Sequence, residues 1–354
     1  MAGSNFNNPV VDDIAAGRKL APVIMRNIVQ RVQLFNGKGV TEEFSDNPLY
    51  YEIRIVRIKP LTQEARTYGE TTNGGGFNSG TAEQPITESY GLTMAHTIDL
   101  PIDIAQSSMD MIPLDLLNGT ATVLDQKVAK NVNASTMAEQ LAKALNYQYN
   151  AGTPLNDHVV AATLGTTDLL DAFFDLSTIL DNGDVANGVD AFPLESRAFQ
   201  IRPTVKNYFQ KSGKAVYDLG NWKGQDMLKV GAFDPETYPN VHVDGSLGEI
   251  NQTMFFVTPD AIWTLAEKYL GLTAGGLAEV YGILSAAEGT GRGIAFSRNI
   301  VVGQSPRGQG VRIYPLYRWG HETWFEKSVA WLVKTGFASV GTGSLSVIGD
   351  GSRP

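Results

Sequence analysis

The four histidines are the side chains of this sequence best suited to bind a metal ion or to transfer a proton near neutral pH. They are His96, His158, His242 and His321. No two of them stand at the spacing that places two metal ligands on one face of a helix. We therefore interpret each histidine as a structural or surface residue and predict no metal site.

Two further segments resemble binding motifs but lack the residues that the chemistry requires. Asp181 to Asp190 has the outline of a calcium loop, yet Gly183 and Val185 occupy its third and fifth positions, where oxygen ligands are needed. The glycine-rich segment Gly289 to Gly293 fits neither the phosphate-binding loop nor the dinucleotide-binding turn. We therefore predict no catalytic residue and no cofactor, although residues distant in sequence can still assemble an active site in space.

The composition excludes several classes of protein. The 354 residues include no cysteine, which rules out disulfide scaffolds, zinc ribbons, iron–sulfur proteins and thiol enzymes. Charged residues are 18% of the chain, against about 25% in an average globular protein, and 43% of the residues are hydrophobic. The polar start Met1 to Asn8 lacks a signal-peptide pattern, and no apolar run is long enough to cross a membrane. We therefore expect synthesis in a reducing cytoplasm.

Charge is distributed unevenly along the chain, whose formal net charge is −9. Residues 1–60 hold eight basic and six acidic residues, and residues 61–200 hold five basic and eighteen acidic residues, a net −13. Residues 201–354 hold fifteen basic and thirteen acidic residues, and Gly289 to Gly320 carries five arginines, Arg292 among them, with no acid. A chain with opposite charges on different stretches can complement copies of itself or turn a basic face to nucleic acid.

The first hundred residues predict an arm followed by two strands and a long loop. The arm, residues 1–48, has the pattern of one short helix from Ile14 to Leu34. The strand that follows, from Tyr51 to Ile58, changes apolar phase at Val56, which predicts a β-bulge. A glycine- and asparagine-rich tip separates it from a returning strand, and loops this long are usually functional.

The strongest single element is a helix predicted from Pro113 to Asn146, since proline suits the first turn of a helix. Apolar residues form one stripe, and charged residues, among them Glu139, occupy the other faces. The helix would be about 50 Å long, so we expect several parts of the chain to pack along it.

After residue 150 the pattern becomes mixed α/β. We predict helices at Thr167–Leu180, Thr204–Lys211 and Asp260–Leu270, strands at Arg197–Ile201, Gln252–Thr258, Ile294–Val302, Val311–Tyr317 and Thr323–Lys334, and a glycine- and serine-rich tail at Gly341–Pro354.

This order of elements resembles that of the tailed-bacteriophage major capsid proteins with the Hong Kong 97 type fold. Local phrases carry the resemblance: Ile98 to Ser108 leads into the long helix, Asp181-Asn-Gly leads to Ser196 to Pro203, and Trp319 to Val333 resembles the closing strands. The resemblance covers residues 10–340 and implies an α+β fold. Its parts would be an N-terminal arm (1–48), an extended β-hairpin loop (49–97), a peripheral domain (98–150 and 293–340) with a spine helix (113–146), a mixed α/β axial domain (151–292) and a flexible tail (341–354).

The resemblance implies a structural protein and no enzyme. Many copies, gathered in hexamers and pentamers, would close into an icosahedral shell around double-stranded phage DNA, with assembly in the host bacterial cytoplasm. The resemblance implies separate scaffolding, portal and decoration proteins as partners, and it implies no contact with a membrane. Two alternatives stay open: an encapsulin-type nanocompartment with protein cargo, and a cytosolic α/β enzyme with an insertion at 61–97.

Charge suggests where copies of the chain would meet. Acidic residues of the extended loop would lie over a neighbour's basic segment or arm, because charge pairs at the rim of an interface set specificity and association rate. The acidic candidates are Glu64, Glu70, Glu83 and Glu88; the basic ones are Arg298, Arg307, Arg312 and Arg318; and the arm or DNA-facing candidates are Arg18, Lys19, Arg26 and Arg31.

One departure from the family concerns covalent joining of subunits. Some members form an isopeptide bond from a lysine of the extended loop to an asparagine of a neighbour. Pro60 to Asp99 contains no lysine. We therefore predict no such crosslink from this loop.

Overall fold

The computed structural model describes residues 32–45, 52–58, 87–98, 102–105, 113–150, 158–167, 169–184, 189–208, 246–296, 301–304, 310–314 and 316–337. Within these ranges the chain has an α+β fold, with sixteen strands in four sheets and three helices of ten residues or more.

The helices are α1 (Pro113–Asn150), α2 (Leu169–Asp181) and α3 (Asp260–Tyr269), and a short helical segment spans 203–208. The strands are β1 (Phe35–Asn36), β2 (Gly39–Ser45), β3 (Glu52–Ile58), β4 (Thr87–Thr93), β5 (His96–Ile98), β6 (Ile102–Ala105), β7 (Val159–Ala162), β8 (Arg197–Ile201), β9 (Ser246–Ile250), β10 (Thr253–Val257), β11 (Val280–Ala286), β12 (Thr290–Phe296), β13 (Val301–Gln304), β14 (Gly310–Tyr314), β15 (Tyr317–Thr323) and β16 (Val329–Lys334).

A six-stranded sheet of order β7-β16-β11-β8-β10-β9 is covered on both faces. Helix α2 packs on one face, where Phe173 lies among Phe199, Phe255 and Leu284. Helices α1 and α3 pack on the other face around Trp331. Strand β8 is buried along its whole length, as expected of a strand that has apolar neighbours on both sides.

A five-stranded sheet of order β1-β2-β12-β15-β5 forms the second layer. Strand β2 pairs in parallel with β12, so residues 39–45 of the predicted arm are a strand inside this sheet. Two smaller sheets, β13-β14-β6 and the hairpin β3-β4, complete the described architecture.

Helix α1 confirms the predicted long helix and extends it to Asn150, 38 residues or about 57 Å. Residues 132–142 are buried on every side. Glu139, which was predicted to lie off the apolar stripe, is nevertheless buried, because β15 covers that part of the helix and the Thr323 backbone amide donates to the Glu139 carboxylate at 3.4 Å.

Several local predictions need correction. No bulge interrupts β3, because Val56 pairs in register with Ser89 and its side chain is exposed. The predicted helix ending at Leu34 is wrong at that end, since 32–34 are not helical, and the rest of it lies outside the described residues. The predicted strand Ile294–Val302 is two strands, β12 and β13. The loop tip and the tail lie outside the described residues.

Candidate functional site at the base of the hairpin

The hairpin β3–β4 confirms the prediction of two paired strands, and the loop predicted between them lies outside the described residues. It pairs antiparallel from Glu52 with Thr93 to Ile58 with Thr87, without a register shift. Alternation gives it two faces, because successive side chains of a strand point to opposite sides. Ile53 and Leu92 are buried on the inner face, so one side of the hairpin is attached to the body of the protein.

The inner face of the hairpin is held by an apolar and aromatic cluster. Ile53, Leu92 and Met94 pack with Ala295 of β12. The ring of Tyr90 stacks on Trp324 with a centroid distance of 4.6 Å and an angle of 26°. Stacked aromatic pairs of this kind contribute about 0.5–1.5 kcal/mol beyond the burial of their area.

Glycines on β12 and β15 let the hairpin approach the sheet closely. A Cβ at Gly293 would lie 3.1 Å from Ile53, and a Cβ at Gly320 would overlap the carbonyl oxygen of Thr93. A Cβ at Gly291 would overlap the ring of Trp324. The glycine-rich segment that failed as a phosphate loop therefore includes part of the floor on which the hairpin lies.

The other face of the same sheet carries a row of polar residues. Glu42, Arg292 and His321 are register partners on the adjacent strands β2, β12 and β15. The Arg292 side chain is 0% exposed and its Nη2 lies 2.8 Å from the Glu42 carboxylate. Nε of Arg292 donates to the same carboxylate at 2.9 Å, and Nη2 also donates to the carbonyl of Leu34. The charge of Arg292 is thus neutralised inside the protein.

A polar cavity of about 230 Å³ lies where the hairpin, β15 and α1 meet. Thr93 and Ala95 line it from the end of the hairpin, and Glu139 and Lys143 line it from α1. His96 and His321 complete the wall, together with Gly320 and Glu322.

The two histidines of the cavity form an aromatic cluster. Their ring centroids are 5.1 Å apart, and His96 also stacks on Trp319 at 5.5 Å and meets the edge of Tyr269 at 5.3 Å. Burial lowers the pKa of His321 well below its ordinary value, and the neighbouring His96 and Arg292 lower that pKa further. The His321 ring is therefore neutral at pH 7. Burial raises the pKa of Tyr269 to about 12, so its hydroxyl keeps its proton.

The geometry of this cavity does not match a metal centre. Over the ranges that the structure describes, no three His, Asp or Glu side chains are placed to share a metal ion. The cavity joins three elements, which makes it a candidate site for controlling how the hairpin is held.

None of the described helices is long and apolar enough to span a bilayer.

The predicted contact residues fall partly within the described structure. Glu88 lies on β4 and accepts a hydrogen bond from the Tyr90 hydroxyl at 2.7 Å. Arg318 is half-buried on β15, and Arg312 pairs through its backbone with Asp103 of β6. The other candidates lie outside the described residues: Glu64, Glu70, Glu83, Arg298, Arg307, Arg18, Lys19, Arg26 and Arg31.

Sequence reasoning did not assign a joint role to His96 and His321. They are 225 positions apart, so no spacing motif links them. Alternation along β15 places Trp319 and His321 on the same face of the strand, which was the available signal.

Comparison with known proteins finds similarity in structure only. No family model matches the sequence, and no curated protein is similar to it. The mature capsid of bacteriophage PhiM1 is similar over 86% of this chain and 89% of its own, with 11% identity and a TM-score of 0.49. The capsid of Ralstonia phage GP4 is similar over 88% and 90%, with 12% identity and a TM-score of 0.46.

A third similar structure is the virus-like particle from Pyrococcus furiosus. It is similar over 89% of this chain and 97% of its own, with 12% identity and a TM-score of 0.42. All three are structures of capsids or of a virus-like particle. Since identities are this low and all three TM-scores are below 0.5, no residue's role is carried over from them.

Proposed function

We propose that this protein is a shell-forming subunit of the phage capsid type, many copies of which enclose double-stranded DNA. The observation that carries the proposal is the order and packing of its own elements. A two-stranded hairpin lies on one face of a sheet, a 38-residue helix crosses the other, and a second, six-stranded sheet follows. The resemblance of the sequence to the Hong Kong 97 type capsid proteins rests on this same order of elements.

The hairpin is suited to reach beyond the subunit. Its inner face is anchored through Ile53 and Leu92, whereas Glu52, Arg54 and Val56 of the same strands are exposed. Residues 59–86 join its two strands, and this segment contains Glu64, Glu70 and Glu83. A neighbouring copy that presents basic residues would attract this acidic segment, and repeated contact between different surfaces builds closed shells.

The class of the protein is tested by negative-stain electron microscopy of the purified full-length chain. We expect discrete shells or capsomer rings, because a shell subunit makes the same contacts many times. A monodisperse monomer under all salt conditions would contradict the proposal and favour a cytosolic enzyme. Nucleic acid inside the particles would support the capsid function, and exclusive protein cargo would instead support a nanocompartment.

The proposed charge pairing is tested separately with a loop variant in which Glu64, Glu70, Glu83 and Glu88 are all changed to Gln. We expect assembly of the variant to be slower and less sensitive to salt, because screening acts on exposed charges over about 10 Å at 0.1 M salt. The matched control is Glu279→Gln, which removes one exposed carboxylate paired with Lys334 on the six-stranded sheet. Unchanged salt dependence in the loop variant would show that the acidic loop does not pair with a basic partner.

A further inference from the structure

The end of the hairpin is held to the sheet by a very small contact. Strand β5 pairs with β15 through three residue pairs only, from Ile98 with Tyr317 to His96 with Trp319. Just before β5, Thr93 crosses directly over Gly320. Short edge strands open at low free-energy cost, so this joint is where the hairpin would separate first.

His321 stands at this joint without a compensating partner. Within the described structure, neither of its two buried ring nitrogens makes a hydrogen bond to another residue, and its own backbone is the one group that favours the protonated ring through a hydrogen bond, less strongly than burial opposes it. A neutral ring leaves one donor and one acceptor unmatched there, whereas a protonated ring would leave two donors and a positive charge. Burying an unpaired charge costs far more than burying an unmatched polar atom.

We propose that His96 and His321 form an acid-sensitive latch, whose protonation releases β5 and the hairpin β3–β4 from the five-stranded sheet. This inference goes beyond shell formation, because it concerns the fold of one chain and holds whether or not the chain builds a shell.

The charged groups around the pair set its response to acid. Helix α1 contributes Glu139 and Lys143, and Nζ of Lys143 lies 4.0 Å from the Glu139 carboxylate. Strand β15 contributes Glu322. Strand β12 contributes Arg292, already paired with Glu42 of β2. Tyr269 of α3 remains neutral because burial raises its pKa. These three carboxylates and two cations sum to −1, and two imidazolium ions change the sum to +1, so full protonation makes the joint net positive.

The sign of the pH effect follows from the direction of the shift. The pKa of His321 is lowered in the closed joint, and an exposed histidine has a pKa of about 6.5. The open joint therefore binds more protons, so closure is fully favoured above about pH 6.5 and weakens as the pH falls toward the lowered pKa. Each histidine that behaves in this way changes the opening equilibrium up to about tenfold per pH unit.

The test is backbone hydrogen exchange of the full-length protein between pH 8 and pH 5, read by mass spectrometry and corrected for the intrinsic rate. In the unaltered protein we expect exchange in peptides covering 87–98 to rise, by up to about tenfold per pH unit for each histidine, below about pH 6.5. In His321→Gln, which stays neutral, this rise should be smaller by up to about tenfold per pH unit, the contribution of one histidine. The matched control His158→Gln alters a buried histidine whose Nδ1 lies 3.2 Å from the Val329 carbonyl, on the other sheet, and should keep it.

Two results would overturn the latch: no acid-dependent rise in the unaltered protein, or the same rise in His321→Gln. Should that variant fail to fold, exchange of the imidazole C2 hydrogen gives the pKa of His321 in the unaltered chain at any particle size. A pKa below that of free histidine is expected. A pKa at or above about 6.5 would equally overturn the proposal.

Discussion

Two buried arginines in this protein connect secondary-structure elements through hydrogen bonds and ion pairs. Arg197, 1% exposed, donates to the Ser177 hydroxyl at 2.7 Å and to the Phe192 carbonyl at 3.1 Å, and it pairs with Asp181. These bonds tie the end of α2 to the start of β8. Arg292 ties β12 to β2 in the same way through Glu42. Because each guanidinium is paired with a carboxylate and also donates to a backbone carbonyl, both can be buried without leaving a charge unpaired.

The Arg292–Glu42 pair gives the first prediction. Glu42→Gln removes the negative partner and leaves a buried cation, so we expect the free energy of unfolding to fall by about 3–5 kcal/mol. The double variant Glu42→Gln, Arg292→Met should lose less than the sum of the two single changes. Urea unfolding measures all three variants.

The exposed pair Arg54–Glu52 is the matched control for that experiment. Its atoms are also 2.9 Å apart, but the side chains are 69% and 48% exposed. We expect Arg54→Met to change the free energy of unfolding by only about 0–1 kcal/mol, as is usual for surface pairs. Equal effects at the two sites would contradict the role given to burial.

A second prediction concerns the contact between Gly320 and Thr93. Gly320→Ala places a methyl group on a backbone carbonyl that cannot rotate away, so we expect a loss of about 1–3 kcal/mol, as in other overpacked sites. Gly91→Ala is the control, because its methyl would meet the carboxylate end of Glu52, a flexible side chain. Thermal unfolding distinguishes the two, and a fully stable Gly320→Ala protein would show that the hairpin does not lie as described.

At the scale of elements, the five-stranded sheet owes its arrangement to the contrast between its two faces. Glycines and Ala295 make one face flat enough for the hairpin. On the other face, Trp319 donates from Nε1 to the Ser135 hydroxyl of α1 at 2.9 Å. Helix α1 is therefore held by specific hydrogen bonds as well as by apolar contact, which explains why its middle carries buried polar residues.

A third prediction concerns the anchoring of the hairpin to the five-stranded sheet. Trp324→Ala removes the stacking partner of Tyr90 and part of the inner-face cluster. We expect faster hydrogen exchange in 52–58 and 87–93 while the six-stranded sheet keeps its protection, because local opening involves only the element that lost contacts. Phe174→Ala, at a 39% exposed position on α2, should leave the hairpin unchanged. Uniform loss of protection throughout the protein would contradict a separately anchored hairpin.

At the scale of the whole molecule, disulfides cannot join copies of this chain, because it contains no cysteine. We also predict that the extended loop forms no isopeptide crosslink, since Pro60 to Asp99 contains no lysine. Boiled and denatured particles should give a single band near 38.3 kDa on a gel. The same sample without heating serves as the control for assembly, and a covalent ladder after boiling would refute the prediction.

The sequence by itself determined the three helices and the two strands of the hairpin. Periodicity located α1, α2 and α3, and alternation located the two strands of the hairpin, because both patterns depend on residues only a few positions apart. The error at Val56 has the same origin: alternation was taken to require burial, whereas an exposed valine on a hairpin costs little.

Only the tertiary structure decided which polar residues are buried and what they do. Arg292 and Glu42 are 250 positions apart in the sequence. The backbone amide of Gln33 donates to Oδ1 of Asn133, which lies 100 positions away. The segment that holds the glycines of β12 fits no ligand-binding motif in the sequence. Only the fold shows that the hairpin lies on these glycines. The residues next to a polar side chain in the sequence do not reveal its distant partners. The burial and the pKa of that side chain depend on groups that only the fold brings together.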